Sequence, residues 1–382
     1  MTQALITNSS DLAALCGRLQ HETVLTVDTE FMRERTYYPQ LCLIQVAGTA
    51  EAAAIDALAP NLDLNPFWEL MRNKNILKVF HAPRQDIEIF VNLAGLVPQP
   101  LFDTQIGAMA MGFADQVSYA KLAEALANTT INKEEQFTDW TARPLRPAQL
   151  DYALQDVIVL RRVYEVMHAK LQEMNRLPWI AEETSRLNDI NTYRVNPETT
   201  WERLRLRSNK PSAWAALRAL TAWREREAMR VNRPRQMVLK DDVLTQIAMT
   251  VPTTREALSR TRGLPGSLNK DAIAEQIIAL MLTAKQAGSD ALPPRNDNAA
   301  LTPAQEDSLD LLRLALKIVA RQAQVAPRLL AGSDDLVAMV VGRDTPLLHG
   351  WRAELFGLAA KRLLAGEMAI SVKGLVVAGI NN

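Results

Sequence analysis

One stretch constrains this chain more than any other: Val24-Leu25-Thr26-Val27-Asp28-Thr29-Glu30-Phe31. The apolar run reads as a buried strand, and it ends in two carboxylates one residue apart. Side chains alternate along a strand, so Asp28 and Glu30 leave the same face. Two like charges this close repel unless a cation lies between them. Hard divalent cations such as Mg²⁺ and Mn²⁺ take oxygen ligands, which carboxylates supply. The alternative is a strand that runs out into a solvated acidic turn. Further carboxylates arriving from elsewhere in the chain decide between the two.

With 382 residues there is room for two or three domains, each with its own core. A hydrophobic share of 48% and a charged share of 23% exclude a disordered or fibrous chain. No apolar segment approaches the ~20 residues that span a bilayer. The first residues lack the basic-then-apolar pattern of a signal peptide, so a cytoplasmic location without membrane attachment is expected. Cys16 and Cys42 sit in apolar surroundings and read as small core residues. The formal net charge of zero hides a division: residues 1–200 carry −8, residues 201–290 carry +7 and residues 291–382 carry +1. An acidic first part beside a basic middle part suits a cation-binding catalytic unit joined to a polyanion-binding one.

The first 190 residues mix strand and helix patterns. Asp11 to Leu19 has helical spacing. Val24–Asp28, Leu41–Val46 and Ala52–Ile55 come next as three strands in succession, the pattern of an antiparallel meander. Ile76–Phe80 and Leu101–Asp103 are further strands, with helices over Pro66–Met71, Pro83–Leu93, Thr104–Gly112 and Tyr119–Ala127. Residues 131–147, polar and twice interrupted by proline, read as a functional loop before a long amphipathic helix from Ala148 to about Met174. The fold class expected is α/β, a mixed sheet flanked by helices over residues 1–190. Beyond a polar connection at Arg186–Thr200 everything is helical in pattern. Two units, over 205–288 and 302–372, are separated by a proline- and asparagine-rich linker at Gly288–Pro303.

Two further sites join the opening pair. In Phe80-His81-Ala82-Pro83-Arg84-Gln85-Asp86 an aspartate enters the first turn of a helix after a buried strand, where it also complements the helix dipole. In Asp151-Tyr152-Ala153-Leu154-Gln155-Asp156, Tyr152 and Asp156 stand at i and i+4 on one helix face. Asp-x-Glu on a strand end, Asp opening a mid-domain helix and Tyr-x-x-x-Asp on a late helix together resemble the DEDDy 3′→5′ exonucleases. The texture of Tyr37-Tyr38-Pro39-Gln40-Leu41-Cys42-Leu43-Ile44-Gln45, Pro100-Leu101-Phe102-Asp103-Thr104-Gln105 and Thr138-Asp139-Trp140-Thr141-Ala142-Arg143-Pro144-Leu145 is similar to that of the ribonuclease D branch. The two helical units resemble HRDC domains, in the first through Asn232-Arg233-Pro234 and Leu258-Ser259-Arg260 to Gly263.

The resemblance implies a ribonuclease-H-like exonuclease domain followed by two all-α HRDC-like domains. It implies two divalent ions, Mg²⁺ or Mn²⁺, held by Asp28, Glu30, Asp86 and Asp156, with Asp28 bridging them. Tyr152 would orient the attacking water. A phenol with a reference pKa near 10 is a poor bulk base, so positioning comes before proton acceptance. The implied activity is removal of nucleotides from a free RNA 3′ end, with tRNA precursors and other small structured RNAs as substrates and no organic cofactor. Phe31, Tyr37 and Tyr38 are candidates for stacking on terminal bases. Trp140 and Arg143 are candidates for shaping the active-site rim or contacting phosphate, and Arg230, Arg233 and Arg235 for phosphate contact. Two other readings fit the residues: a DNA-directed exonuclease of repair, and a non-catalytic RNA-binding protein. His81 reads as a structural histidine and Asp103 as a helix cap.

Overall fold

The aliphatic run Gln40–Ala47 is buried at every position after the first, so it can only be an interior strand with cover on both faces. In the computed structural model, which describes residues 1–269, 271–293, 301–371 and 374–377, this strand lies near the middle of a six-stranded mixed sheet. The strands are β1 (Thr2–Ile6), β2 (Val24–Met32), β3 (Gln40–Ala47), β4 (Glu51–Asp56), β5 (Leu77–Phe80) and β6 (Leu101–Asp103), in the order β1-β4-β3-β2-β5-β6. β3 and β4 pair antiparallel as the meander pattern predicts. β2 with β5 and β5 with β6 run parallel, the second pair joined by a helical crossover. β1 carries no strand signal of its own. It is exposed except at Ile6 and exists by pairing parallel to β4 at the edge of the sheet.

The helices of this part are α1 (Ser9–Leu19), α2 (Asn65–Arg72), α3 (Arg84–Ala94), α4 (Thr104–Ala110), α5 (Tyr119–Ala127), α6 (Pro147–Glu173) and α7 (Leu177–Ser185). Asn8 caps α1 by accepting from the Asp11 amide, and Asp103 caps α4 by accepting from Gln105 at 2.8 Å. α6 is tied to the sheet by buried polar contacts: Thr26 Oγ1 donates to the Val157 carbonyl at 2.8 Å, and Arg161 to the Val24 carbonyl at 2.8 Å. This fixes the helix that carries Tyr152 and Asp156 against the strand that carries Asp28.

The chain forms two compact units. Residues 1–30, 42–190 and 300–382 make one; residues 31–41 and 191–299 make the other. The second contains α8 (Pro211–Val231), α9 (Arg235–Val238), α10 (Asp241–Thr250), α11 (Arg255–Ser259) and α12 (Asp271–Lys285), packed around Leu217, Leu220, Leu244, Ile247 and Ile277. The short segment 31–41, between β2 and β3, belongs to this helical unit. The linker expected at Gly288–Pro303 falls in part on residues 294–300, outside the described residues, as does position 372.

The C-terminal helices share one apolar core with the α/β part, in which Val159, Val163 and Met167 join Leu312, Leu316 and Phe356. Polar contacts seal the junction. Arg176 donates to the carbonyls of Ala110 at 2.5 Å, Gln324 at 2.8 Å and Ala323. Arg352 pairs with Glu183 at 2.5 Å, and Trp179 stacks on Trp351 at 4.3 Å. Gly112, at φ +85°, allows the approach, since a Cβ there would meet the Gln324 carbonyl oxygen at 2.9 Å. The pattern over Trp351–Leu364 predicts one helix. It is broken by a π turn at Ala353–Gly357, where Gly357 lies so close to the Leu347 carbonyl that no side chain fits.

Candidate active site

The opening motif ends where its alternation predicts. Asp28 lines a cavity of about 200 Å³ together with His81, Tyr119, Tyr152 and Asp156. Glu30 lies within electrostatic reach of all three aspartates. Asp86, buried in the first turn of α3, accepts from the hydroxyl of Thr29, the residue between the two acids of β2. Asp28 in turn accepts from the Thr29 amide at 3.0 Å. Ala82 adopts a left-handed φ of 55° in the turn that launches α3, and its amide is held at 2.8 Å by the Asp103 carboxylate. Asp103 therefore serves the turn and the α4 cap.

Asp156 is 5% exposed, and its Oδ1 has no hydrogen-bond partner. Its backbone carbonyl accepts from the Tyr119 hydroxyl at 2.6 Å, which braces α6 from α5. The Tyr152 hydroxyl lies within electrostatic reach of the Asp156 carboxylate. Beneath Tyr152 lies Trp140, 2% exposed, with ring centroids 6.1 Å apart. A second cavity, of about 420 Å³, is lined by Tyr152 and Asp156 together with Glu134, Glu135, Asp151 and Gln155.

The electrostatics are those of carboxylates crowded out of water. Burial, then the charges of Asp28, Asp156 and Asp86, push Glu30 up to about 10. Burial and the neighbouring charges of Asp86 and Asp156 hold Asp28 well above the usual carboxylate range. Burial raises Asp156 to about 7 and Asp86 to about 6, against the lowering effect of their hydroxyl partners. Burial, then the same carboxylates, raises the Tyr152 phenol, which stays protonated. His81 is pushed down to about 4 by burial, so its imidazole is neutral; its Nδ1 lies 3.0 Å from Thr104 Oγ1.

Lys133 lines the same cavity, but no lysine or arginine charge lowers these acids, and among the described residues no three His, Cys, Asp or Glu side chains are drawn into a closed metal-ligand shell. The donor set is nevertheless one that a hard divalent cation suits: oxygen donors only, mutually repelling, with one buried carboxylate oxygen unpartnered.

The outer candidates fare differently. Arg143 turns inward: its guanidinium holds Asp56 at 2.6 and 2.8 Å, the Cys42 carbonyl at 2.9 Å and the Trp140 carbonyl at 2.8 Å. It anchors the loop and has little left for a phosphate, and Trp140 is buried against Tyr152. In the helical unit the Tyr37 hydroxyl donates to Glu225 at 2.5 Å, and Glu225, fully buried, pairs with Arg235 at 3.1 Å. The Tyr37 and Tyr38 amides both donate to Asn232 Oδ1 at 3.1 Å, and the two rings pack edge to face. Tyr37 and Arg235 are thus bound into the unit. Arg230, 70% exposed and paired with Glu227, and Arg233 remain at the surface, and Phe31 is half-buried. Sequence reasoning missed Thr29, Tyr119 and Asp56, whose roles depend on partners distant in the chain.

An α/β sheet with acids converging on a tyrosine-bearing helix defines a 3′→5′ exonuclease, and residues 3–172 match the 3′-5′ exonuclease family, while residues 214–280 match the HRDC domain. The chain is 46% identical over 374 residues to ribonuclease D of Granulibacter bethesdensis, covering 97% of this chain and 94% of that one. It is 46% identical over 377 residues to ribonuclease D of Jannaschia sp., covering 97% of each. The crystal structure of Escherichia coli RNase D, described as an exoribonuclease involved in structured RNA processing, superposes with a TM-score of 0.81 at 30% identity, covering 96% of this chain and 99% of that one. The chain belongs to the ribonuclease D family. It is a 3′→5′ exoribonuclease with a helical HRDC region.

Proposed function

We propose that this enzyme trims the single-stranded 3′ tails of small structured RNAs, tRNA precursors first among them, and releases 5′-monophosphates. The observation that carries the reading is the acidic cluster at the cavity shared by Tyr152 and Asp156, with the Asp156 Oδ1 unpartnered. Asp28, Glu30, Asp86 and Asp156 would hold two Mg²⁺ or Mn²⁺ ions. When bound, such ions offset the negative charge that phosphodiester hydrolysis builds on the attacking and leaving oxygens. The chain's own contribution is positioning. Tyr152, protonated and packed on Trp140, can donate or accept at the attacking water and fixes its direction. Thr29 ties Asp86 to β2, and Tyr119 braces the α6 turn at Asp156 from α5.

The HRDC domain would hold the body of the RNA through exposed arginines such as Arg230 and Arg233, contacts that position a substrate without reading its sequence. The HRDC-like segment 302–372, joined to the exonuclease core, would act chiefly as a buttress. Among the described residues no helix is long and apolar enough to cross a membrane, and the cytoplasm is the expected setting. The test is a time course on a 5′-labelled tRNA with a 3′ extension, beside a DNA tail of the same sequence, with and without EDTA. Stepwise shortening of the RNA that EDTA stops supports the reading. Faster turnover of DNA, or full activity in EDTA, overturns it.

A further inference from the structure

Among the described residues the most exposed large apolar side chain is Phe137, at 91%. A lone exposed apolar residue is common on protein surfaces, so exposure alone carries nothing. Its placement does. Phe137 comes directly after Gln136, which lines the cavity of Asp28, Tyr152 and Asp156, as does Lys133.

The loop that displays it is built to be rigid. The Gln136 amide donates to the Lys133 carbonyl at 3.2 Å, and the Thr138 amide and hydroxyl donate to the Glu135 carbonyl at 3.2 and 2.8 Å. Gln149 on α6 holds the Thr138 hydroxyl at 3.0 Å, Arg146 pairs with Glu135, and Arg143 fastens the following turn to Asp56. Both neighbours of Phe137 are thus pinned while the ring itself contacts solvent. A ring held this way loses little entropy when a flat partner covers it.

The geometry points to Phe137 as a stacking platform for a nucleobase of the single-stranded RNA tail, just outside the catalytic cavity. The inference rests on the exonuclease reading. The chemistry of the rim favours a base over a phosphate: Glu134 and Asp151 line the neighbouring cavity and repel phosphate, whereas the face of a base is neutral and π-rich. Lys133 is the cation at hand for the adjoining phosphate.

The test uses the full-length chain carrying Asp156→Asn, so that RNA persists, and single-stranded RNAs with 2-aminopurine at successive positions from the 3′ end. The expected result is quenching at one or two adjacent positions that Phe137→Ala and Phe137→Leu abolish and Phe137→Trp retains. Affinity should weaken about 5- to 150-fold in the alanine variant, the span measured for loss of one base–aromatic stack. Unchanged thermal midpoints would show that the variants fold, as exposure of the ring predicts. Quenching and affinity within twofold of the parent in every variant, or leucine matching phenylalanine, overturns the platform. So does unchanged RNA binding accompanied by a lost protein–protein contact. The same oligonucleotides given to the wild-type chain with Mg²⁺ test the underlying reading separately, since no shortening there sinks the exonuclease assignment whatever Phe137 does.

Discussion

Arg143 grips Asp56 with a two-pronged contact, Nε to Oδ2 at 2.8 Å and Nη2 to Oδ1 at 2.6 Å, across 87 residues of chain. The same guanidinium binds the carbonyl of Trp140, the residue on which Tyr152 packs. Asp56 is 6% exposed, so removing Arg143 strands a buried carboxylate at the end of β4. Arg143→Met should cost about 3 kcal/mol in urea unfolding. It should also lower kcat more than it raises KM, because the tyrosine platform loosens. A variant with full stability and unchanged kcat would show the clamp to be idle.

Charge removal at the acid cluster should separate activity from stability. Asp28→Asn or Asp156→Asn is expected to abolish hydrolysis in Mg²⁺ or Mn²⁺ while RNA affinity stays within a few-fold. In EDTA the same variants should melt above the wild type, because each relieves repulsion among buried carboxylates. Wild-type rates in either variant would remove that residue from the metal set.

The pH dependence is set by the direction of the shifts. Glu30 is raised to about 10, Asp156 to about 7 and Asp86 to about 6, so the folded chain binds these protons more tightly than the unfolded one. Their contribution to stability is complete below about pH 4 and is lost as pH rises through 6, 7 and 10. Urea midpoints in EDTA should therefore fall between pH 5 and pH 9, and Mg²⁺ should flatten the slope. Identical slopes with and without Mg²⁺ would contradict cation binding at this cluster.

The arginines of the helical unit divide into two kinds. Arg230→Ala with Arg233→Ala should weaken RNA binding and lessen its dependence on salt, with little effect on stability. Arg235→Ala leaves the fully buried Glu225 without its cation and should destabilise the unit by about 3–5 kcal/mol. Binding titrations across a salt series and thermal unfolding distinguish the two.

The C-terminal helices should prove inseparable from the catalytic core. Trp351→Ala removes the stack on Trp179 and about 3–5 kcal/mol of packing, read as a lower midpoint for loss of exonuclease activity on heating. A midpoint unchanged in activity but lowered by circular dichroism would show that the two parts unfold independently.

Strand alternation and helical spacing are local properties, and they place each acid on its face; choosing these acids as a set rests on the resemblance to the DEDDy exonucleases. Asp28 and Glu30 share a strand face, Asp86 opens a helix after a buried strand, and Tyr152 and Asp156 share a helix face whatever lies around them. The α/β character of the first 190 residues and the helical character of the later ones are legible for the same reason. The chain alone does not disclose which partner each polar side chain meets. Arg143 reads as a free cation until Asp56 is found 87 residues away, and Tyr37 as a free aromatic until Glu225 is found 188 residues away. β1 is too short and exposed to announce itself without β4, and the joining of residues 301–371 to the core rests on the Arg176 and Arg352 contacts and the apolar surface they enclose. Periodicity determines the face a side chain takes; burial, which makes an unpaired charge or an exposed ring costly, determines what it does there, and burial is decided only when distant segments pack.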